Sequence, residues 1–417
     1  MTEEKRKFPK LRFPEFFDAW EQRKFSDIAE TRRGLTYKPE NITESGGIRV
    51  LRSSNINEDT FVFSSDDVFV EPTAVKIPLV KNGDILITSA NGSSRLVGKH
   101  SIVRDLHDNS AVHGGFMLLA SAKEPEFVNA LMGAAWYTKF INTFVAGGNG
   151  AIGNLNKSDL DNQIVFIPSI EEQKKIGQFF KSLDNLITLH QRKLETTKKL
   201  KQGFLQKLFP QNGKKIPELR FPEFTGDWEQ RKLGELSEPL EYGLNAAAKT
   251  YDGENKYLRI TDIDDSSREF KYDDLSSPDT PLENASDFLL NEQDIVFART
   301  GASVGKTFRY KEKYGKVYYA GFLIRARIKQ DFDPEFVYQN TLTSSYDNFI
   351  RLTSQRSGQP GVNAKEYSSF NFCVPSFKEQ KKIGAFFSKL DNLITLHQRK
   401  LEIYQNIKKG LLQQMFV

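Results

Sequence analysis

The sequence predicts an α+β protein: two mixed α/β domains separated by two long helices that form an antiparallel coiled coil, the whole built as an internal pseudo-twofold repeat. Three observations lead there. Motifs recur at a spacing of about 207 residues in a chain of 417, which marks a tandem duplication of one unit. Each half ends in a nearly identical apolar-periodic stretch of helical character. Between these flanks lie short β-rich runs and glycine-rich loops.

The repeat opens each half. Pro9-Lys-Leu-Arg-Phe-Pro-Glu-Phe16 returns as Pro217-Glu-Leu-Arg-Phe-Pro-Glu-Phe224, and Trp20-Glu-Gln-Arg-Lys24 returns as Trp228-Glu-Gln-Arg-Lys232. It also closes each half. Glu172-Gln-Lys-Lys-Ile-Gly177 recurs as Glu379-Gln-Lys-Lys-Ile-Gly384, and Leu183 to Glu195 recurs unchanged as Leu390 to Glu402. The interiors diverge but stay in step: Asp84-Ile-Leu-Ile-Thr88 faces Asp294-Ile-Val-Phe-Ala298, Val97-Gly-Lys99 faces Val304-Gly-Lys306, and Pro125-Glu-Phe-Val128 faces Pro334-Glu-Phe-Val337. One frame therefore carries two different surfaces. Flanks that match suit one kind of partner met twice, and interiors that differ suit two ligands.

The predicted boundaries follow: a first domain over 1–168, a helix over 169–209, a linker over 210–222, a second domain over 223–375 and a second helix over 376–417. Ser169-Ile-Glu-Glu172 and Ser376-Phe-Lys-Glu379 each read as a capping box directly after a proline. A 4-3 apolar spacing then runs Ile176, Phe180, Leu183, Ile187, His190, Leu194, Thr197, Lys201, Phe204, Leu208, with its copy from Ile383 to Met415. So long a seam needs a partner, and the other copy is the economical one. His190 and His397 read as packed residues that fix register. Within the domains, residues 85–88, 116–120, 257–263, 294–298 and 318–328 read as strands, and 127–145 and 336–352 as helices. Recognition residues are expected on the loops 90–94, 147–156 and 354–363.

Charge narrows the class of ligand without deciding it. The net charge is +5, but each of the segments 171–209 and 378–417 carries +5, so the remainder is mildly acidic. No apolar run approaches a membrane span, and a single cysteine, Cys373, suits a reducing cytoplasm and excludes a disulfide framework.

Catalytic motifs are not found. Thr300-Gly-Ala-Ser-Val-Gly-Lys-Thr307 resembles a phosphate-binding loop, but only three residues separate Gly301 from Gly305 where four are needed. There is no dinucleotide fingerprint, no His-Glu-x-x-His and no Asn/Asp-Pro-Pro-aromatic tetrapeptide. Five histidines and one cysteine give no metal constellation. The reading is a binding protein, with no catalytic, cofactor-binding or metal-ligating residue. A degenerate nuclease or methyltransferase and a coiled-coil scaffold without DNA contact stand as alternatives.

Two domains each followed by one of two near-identical helices, with Pro168-Ser-Ile-Glu-Glu-Gln173 and Pro375-Ser-Phe-Lys-Glu-Gln380 at the helix starts, resemble the specificity subunit of type I restriction-modification systems. Tyr257-Leu-Arg-Ile-Thr-Asp-Ile263 and Arg299-Thr-Gly-Ala-Ser-Val-Gly-Lys306 resemble parts of that family's target-recognition domains; Val50-Leu-Arg-Ser-Ser-Asn-Ile56 and an insertion near residues 91–95 depart from it. The resemblance implies a non-catalytic subunit that reads a bipartite, asymmetric site in double-stranded DNA. It implies as partners two methyltransferase (modification) subunits and two restriction/translocase subunits, which would carry S-adenosylmethionine, ATP and magnesium. Side chains able to reach phosphates or groove edges then nominate Arg52, Asn55, Ser94, Arg95, Lys99 and Asn154 in the first domain. In the second they nominate Tyr242, Lys249, Arg259, Thr261, Arg299, Ser303, Lys306, Gln355, Arg356, Gln359 and Asn363.

Overall fold

The structure is a computed structural model; it describes residues 7–145, 153–211, 213–355 and 358–417, and Ser94 without its side chain. The chain divides into two units, residues 1–191 with 400–417, and residues 192–399. Each unit thus takes one domain, part of the helix that follows it, and part of the other long helix.

Both long helices, Ile170–Lys207 and Phe377–Gln414, hold 38 residues, about 57 Å at 1.5 Å per residue. Within the first unit Phe180 meets Phe416, Asp184 meets Lys408 and His190 meets Tyr404. Within the second, Lys201 meets Asp391 and Phe204 meets Phe386. Rising numbers on one helix face falling numbers on the other, so the strands of the coil are antiparallel. Ile176, Phe180, Leu183, Ile187, His190, Leu194 and Thr197 are all buried, as the 4-3 spacing requires. Lys201 and Lys408 sit on the same seam with their ammonium groups 2.7 Å from Asp391 and 2.8 Å from Asp184. The seam is therefore mostly apolar, with one lysine held by carboxylates in each unit.

Each domain is built on a four-stranded sheet. In the first the order is Ala29–Arg33, Met117–Ala122, Ile85–Thr88, His100–Ile102; in the second it is Glu241–Tyr242, Leu323–Arg327, Asp294–Ala298, Thr307–Arg309. The repeated Glu-Gln-Arg-Lys segments are strands. Glu21–Lys24 pairs antiparallel with Ile164–Ile167, and Glu229–Lys232 with Asn371–Val374, just before each long helix. Four expected elements are broken. Residues 318–328 form Val317–Tyr319 and Leu323–Arg327, parted by a turn closed by Leu323 N–H donating to Ala320 O. The expected single helices are pairs, Pro125–Met132 with Ala135–Phe144, and Pro334–Asn340 with Ser344–Thr353, the last capped by the Thr343 side chain. Residues 257–263 likewise leave the strand at Leu258 for a 3-10 turn over Ile260–Asp262.

The two cores share a Trp-centred aromatic cluster. Trp20 lies edge-on to Phe127 and to Phe416, which follows the second helix. Trp228 lies edge-on to Phe336 and to Phe209, which follows the first helix. The clasp before each domain matches too. Arg12 donates two hydrogen bonds to Glu172, both 2.7 Å, and Arg220 two to Glu379, both 2.8 Å. The glutamates of the expected capping boxes thus spend their buried carboxylates on these arginines.

Candidate nucleic-acid interface

In the second domain the strand Asp294–Ala298 delivers Arg299 to the edge of the sheet. Its N–H donates to Phe322 O at 3.1 Å, and its carbonyl accepts from Val362 N–H at 2.9 Å. The guanidinium lies 5.0 Å from the centre of the Tyr242 ring and donates to Gly321 O at 3.4 Å. The Tyr242 hydroxyl accepts from Ala364 N–H at 3.3 Å, directly after Asn363, whose side chain caps the helix Ala364–Ser368. Gly301 has φ +76°, and a Cβ there would come within 3.1 Å of the Gln359 amide nitrogen. Tyr242, Arg299, Gln359 and Asn363 thus converge. A cation stacked on an aromatic ring, flanked by amides, can take phosphates and hydrogen-bond base edges.

The remaining nominees of this domain lie elsewhere. Arg259 donates to both oxygens of Asp262, at 2.9 and 2.8 Å, and that bond raises its already high pKa. Thr261 and Lys249 are exposed, the latter on the strand Ala247–Thr250, and Gln355 is exposed after the helix Ser344–Thr353. Ser303 lines a separate groove of about 320 Å³ with Arg268 and Arg351. Arg356 lies outside the described residues.

Lys306 is corrected. Only 7% exposed, it donates to Ile263 O at 2.8 Å and meets Asp265 at 2.5 Å, holding that carboxyl below the usual range. Its charge is neutralised by the exposed Asp265 at the rim of the groove that Ser303 lines, and it is withdrawn as a DNA contact.

The first domain repeats the frame with other side chains. Ser89 N–H donates to Phe116 O at 2.9 Å, Leu155 N–H donates to Ser89 O at 2.7 Å, and Ala90 bridges Asn154 as Thr300 bridges Gly361. Here a cleft of about 860 Å³ opens, lined by Tyr37, Arg52, Ser53, Asn91, Gly115 and Phe116. Arg52 reaches into it while tied to the Asp66 carbonyl, and Asn91 donates to the Ser53 hydroxyl at 3.0 Å. Arg95 and Asn154 are exposed and Lys99 is half-buried. Asn55 is the second correction. At 0% exposure it accepts from Arg52 N–H and donates to Val62 O and Asp67, so it shapes the turn and cannot reach a ligand. Asp262 occupies the same place in the Arg259 turn.

Sequence reasoning missed Tyr37, Asn91 and the two exposed rings Phe116 and Phe322. The available signal was the recurrence of Gly115-Phe116 as Gly321-Phe322, each lying between the Val-Gly-Lys and Pro-Glu-Phe-Val landmarks of its half.

A family model for the type I restriction modification DNA specificity domain matches residues 18–199 and again residues 225–405. The chain belongs to that family. It is 24% identical over 394 residues to the StySPI type I restriction enzyme specificity subunit of Salmonella potsdam, covering 88% of this chain and 81% of that one. It is 23% identical over 421 residues to the EcoKI specificity subunit of Escherichia coli K12, covering 96% and 89%. Among solved structures, the type I restriction-modification S subunit of M. genitalium shares the fold with a TM-score of 0.68 at 17% identity, over 98% of this chain and 99% of that one. The two family matches coincide with the two repeats, each ending within a long helix. Among the described residues no group of three or more His, Cys, Asp or Glu could hold a metal, and no helix is long and apolar enough to cross a membrane.

Proposed function

We propose that this DNA-specificity protein is a non-catalytic subunit whose two domains each read one half of a bipartite, asymmetric site in double-stranded DNA. The observation that carries this is one backbone frame offering different groups at matched places: Arg299 against Ser89, Thr300 against Ala90, Gly361 against Asn154. Base contacts specify and phosphate contacts position, so changed side chains on an unchanged frame suit two different half-sites. The long helices, with their net positive charge and matched sequences, suit two copies of a methyltransferase subunit, and two restriction/translocase subunits complete the assembly. S-adenosylmethionine, ATP and magnesium belong to those subunits in this reading, and the complex works in the cytoplasm.

Co-expression with the cognate methyltransferase subunit, followed by sequencing of methylated adenines in host DNA, tests it. One split motif appearing only with both chains is expected, and exchanging residues 15–168 should alter only one half of it. Arg299→Ala should relax one position of the other half at a cost of about 1–3 kcal/mol. Methylation by this chain alone would overturn the non-catalytic assignment.

A further inference from the structure

We infer that Phe116 and Phe322 are a matched pair of DNA-contacting residues, each laying its ring against the bases of its own half-site in a contact that tolerates any base sequence. The inference rests on the DNA-reading function proposed above. Phe116 is 74% exposed and Phe322 63% exposed. An aromatic ring left in water forgoes the burial that rings of its size ordinarily provide. That it happens at the same position of both domains requires a common explanation.

The backbone holds both rings outward. Each follows a glycine in a tight turn, closed by Met117 N–H donating to Gly114 O and by Leu323 N–H donating to Ala320 O, both 2.8 Å. Both carbonyls are then used by the neighbouring strand end, Phe116 O by Ser89 and Ala90, Phe322 O by Arg299. The next residues, Met117 and Leu323, are buried in the sheet core. Each phenylalanine lies in the turn just before its strand, outside the buried sheet. The turns also pack tightly against the first strand: a Cβ on Gly34 would lie 1.9 Å from Gly114 O, and one on Gly243 2.2 Å from Ala320 O. Each ring is fixed to the rigid part of its domain.

Around this shared turn the neighbouring side chains differ. Register places Tyr242 opposite Ile324 where Arg33 stands opposite Leu118. Arg299 stands where the first domain has Ser89. A side chain that discriminated bases would be expected to change along with these. A ring kept constant fits a task common to both half-sites, and every base presents a π-face whatever its edge pattern. The setting is polar and cationic, with Arg52 and Asn91 beside one ring and Arg299 beside the other. This suits nucleic acid better than an apolar protein surface. An uncharged wedge seated against a base step would add affinity without reading sequence.

The test uses the complex of the full chain with its methyltransferase partner. Its probes are a duplex carrying the methylated motif found in the host and a scrambled duplex of the same length. Phe116→Ala and Phe322→Ala should each weaken motif binding by roughly 5- to 100-fold and lower methylation, with the motif unchanged at every base. The slope of log affinity against log salt should not move, since no charge is removed. Phe→Leu variants, which keep an apolar body, should fold like the parent and fall between. Affinity within twofold of the parent would overturn the inference. So would a motif altered at a single base, or a loss confined to partner assembly with DNA affinity intact. A parent complex that methylates no split motif would instead overturn the DNA-reading function itself.

Discussion

The two domains share the Trp-centred clusters and the clasps that they bury and differ in what they expose. Trp20 with Phe416 in one and Trp228 with Phe209 in the other close equivalent cores. The clasps agree to a tenth of an ångström in their arginine–glutamate bonds. By contrast, the cleft of about 860 Å³ around Arg52 and Asn91 in the first domain has its counterpart in a stacked Arg299–Tyr242 pair in the second. Groups that are buried and mutually bonded fix the frame, because altering one strands its partner. Groups at the strand ends and loops carry no such constraint. That separation allows one scaffold to present two ligand-binding faces.

The strongest way to break the equivalence is to remove a ring that a long helix lends to a domain. Phe416→Ala should destabilise the first domain, and Phe209→Ala the second, by about 3–5 kcal/mol each. Hydrogen exchange should show the loss of protection confined to the domain affected. Equal loss in both domains from either substitution would show that the cores are not the separate clusters described above.

The clasp gives a finer comparison. Removing Arg12 or Arg220 leaves Glu172 or Glu379 buried without its cation, a loss of roughly 3 kcal/mol. The consequences should then diverge. Leu219 N–H donates to Lys207 O, and residues 208–218 join the two covalently; Leu11 N–H donates to Gln414 O with no such link. Arg12→Ala should therefore release residues 7–16 to fast exchange, whereas Arg220→Ala should weaken its clasp while the tether keeps it in place. Equal release in both would mean the covalent link contributes nothing.

Much of this was legible in the sequence because duplication makes each half a control for the other. The helices, their antiparallel pairing and the mixed α/β character of the domains follow from periodicity and repeated landmarks, whereas the four-stranded order of each sheet does not. What was not legible depends on contacts distant along the chain. Arg12 and Glu172 are 160 residues apart, and neither segment alone predicts the ion pair. Lys306 and Asn55 look like exposed polar residues in sequence, yet a carbonyl, a carboxylate and a turn claim them. Phe116 reads as strand core until the turn at Gly114 is seen to push it outward. Residue type predicts burial on average, and functional surfaces are where that average fails.

One further difference lies on matched parallel strands and sets the smallest expected effect. His113 faces Leu51 in the register where Tyr319 faces Leu258. Burial pushes the His113 imidazole down to about 4, with the Arg32 carbonyl at 3.3 Å and the Arg32 charge nearby. Burial pushes Tyr319 the opposite way, up to about 12, so it does not titrate in the acid range. Between pH 6.5 and 4 the unfolded chain binds a proton at residue 113 that the folded domain refuses. Stability is thus complete above 6.5 and falls as the pH drops towards 4, by about 1.4 kcal/mol at pH 5.5. Acidification from pH 7.5 to 5.5 should accordingly open the first domain ahead of the second, as read by exchange in each sheet. His100, in the same domain, is pushed down by burial as well. His113→Tyr, which copies the second domain, should therefore narrow the difference without abolishing it; an unchanged difference would mean that the His113 imidazole does not contribute.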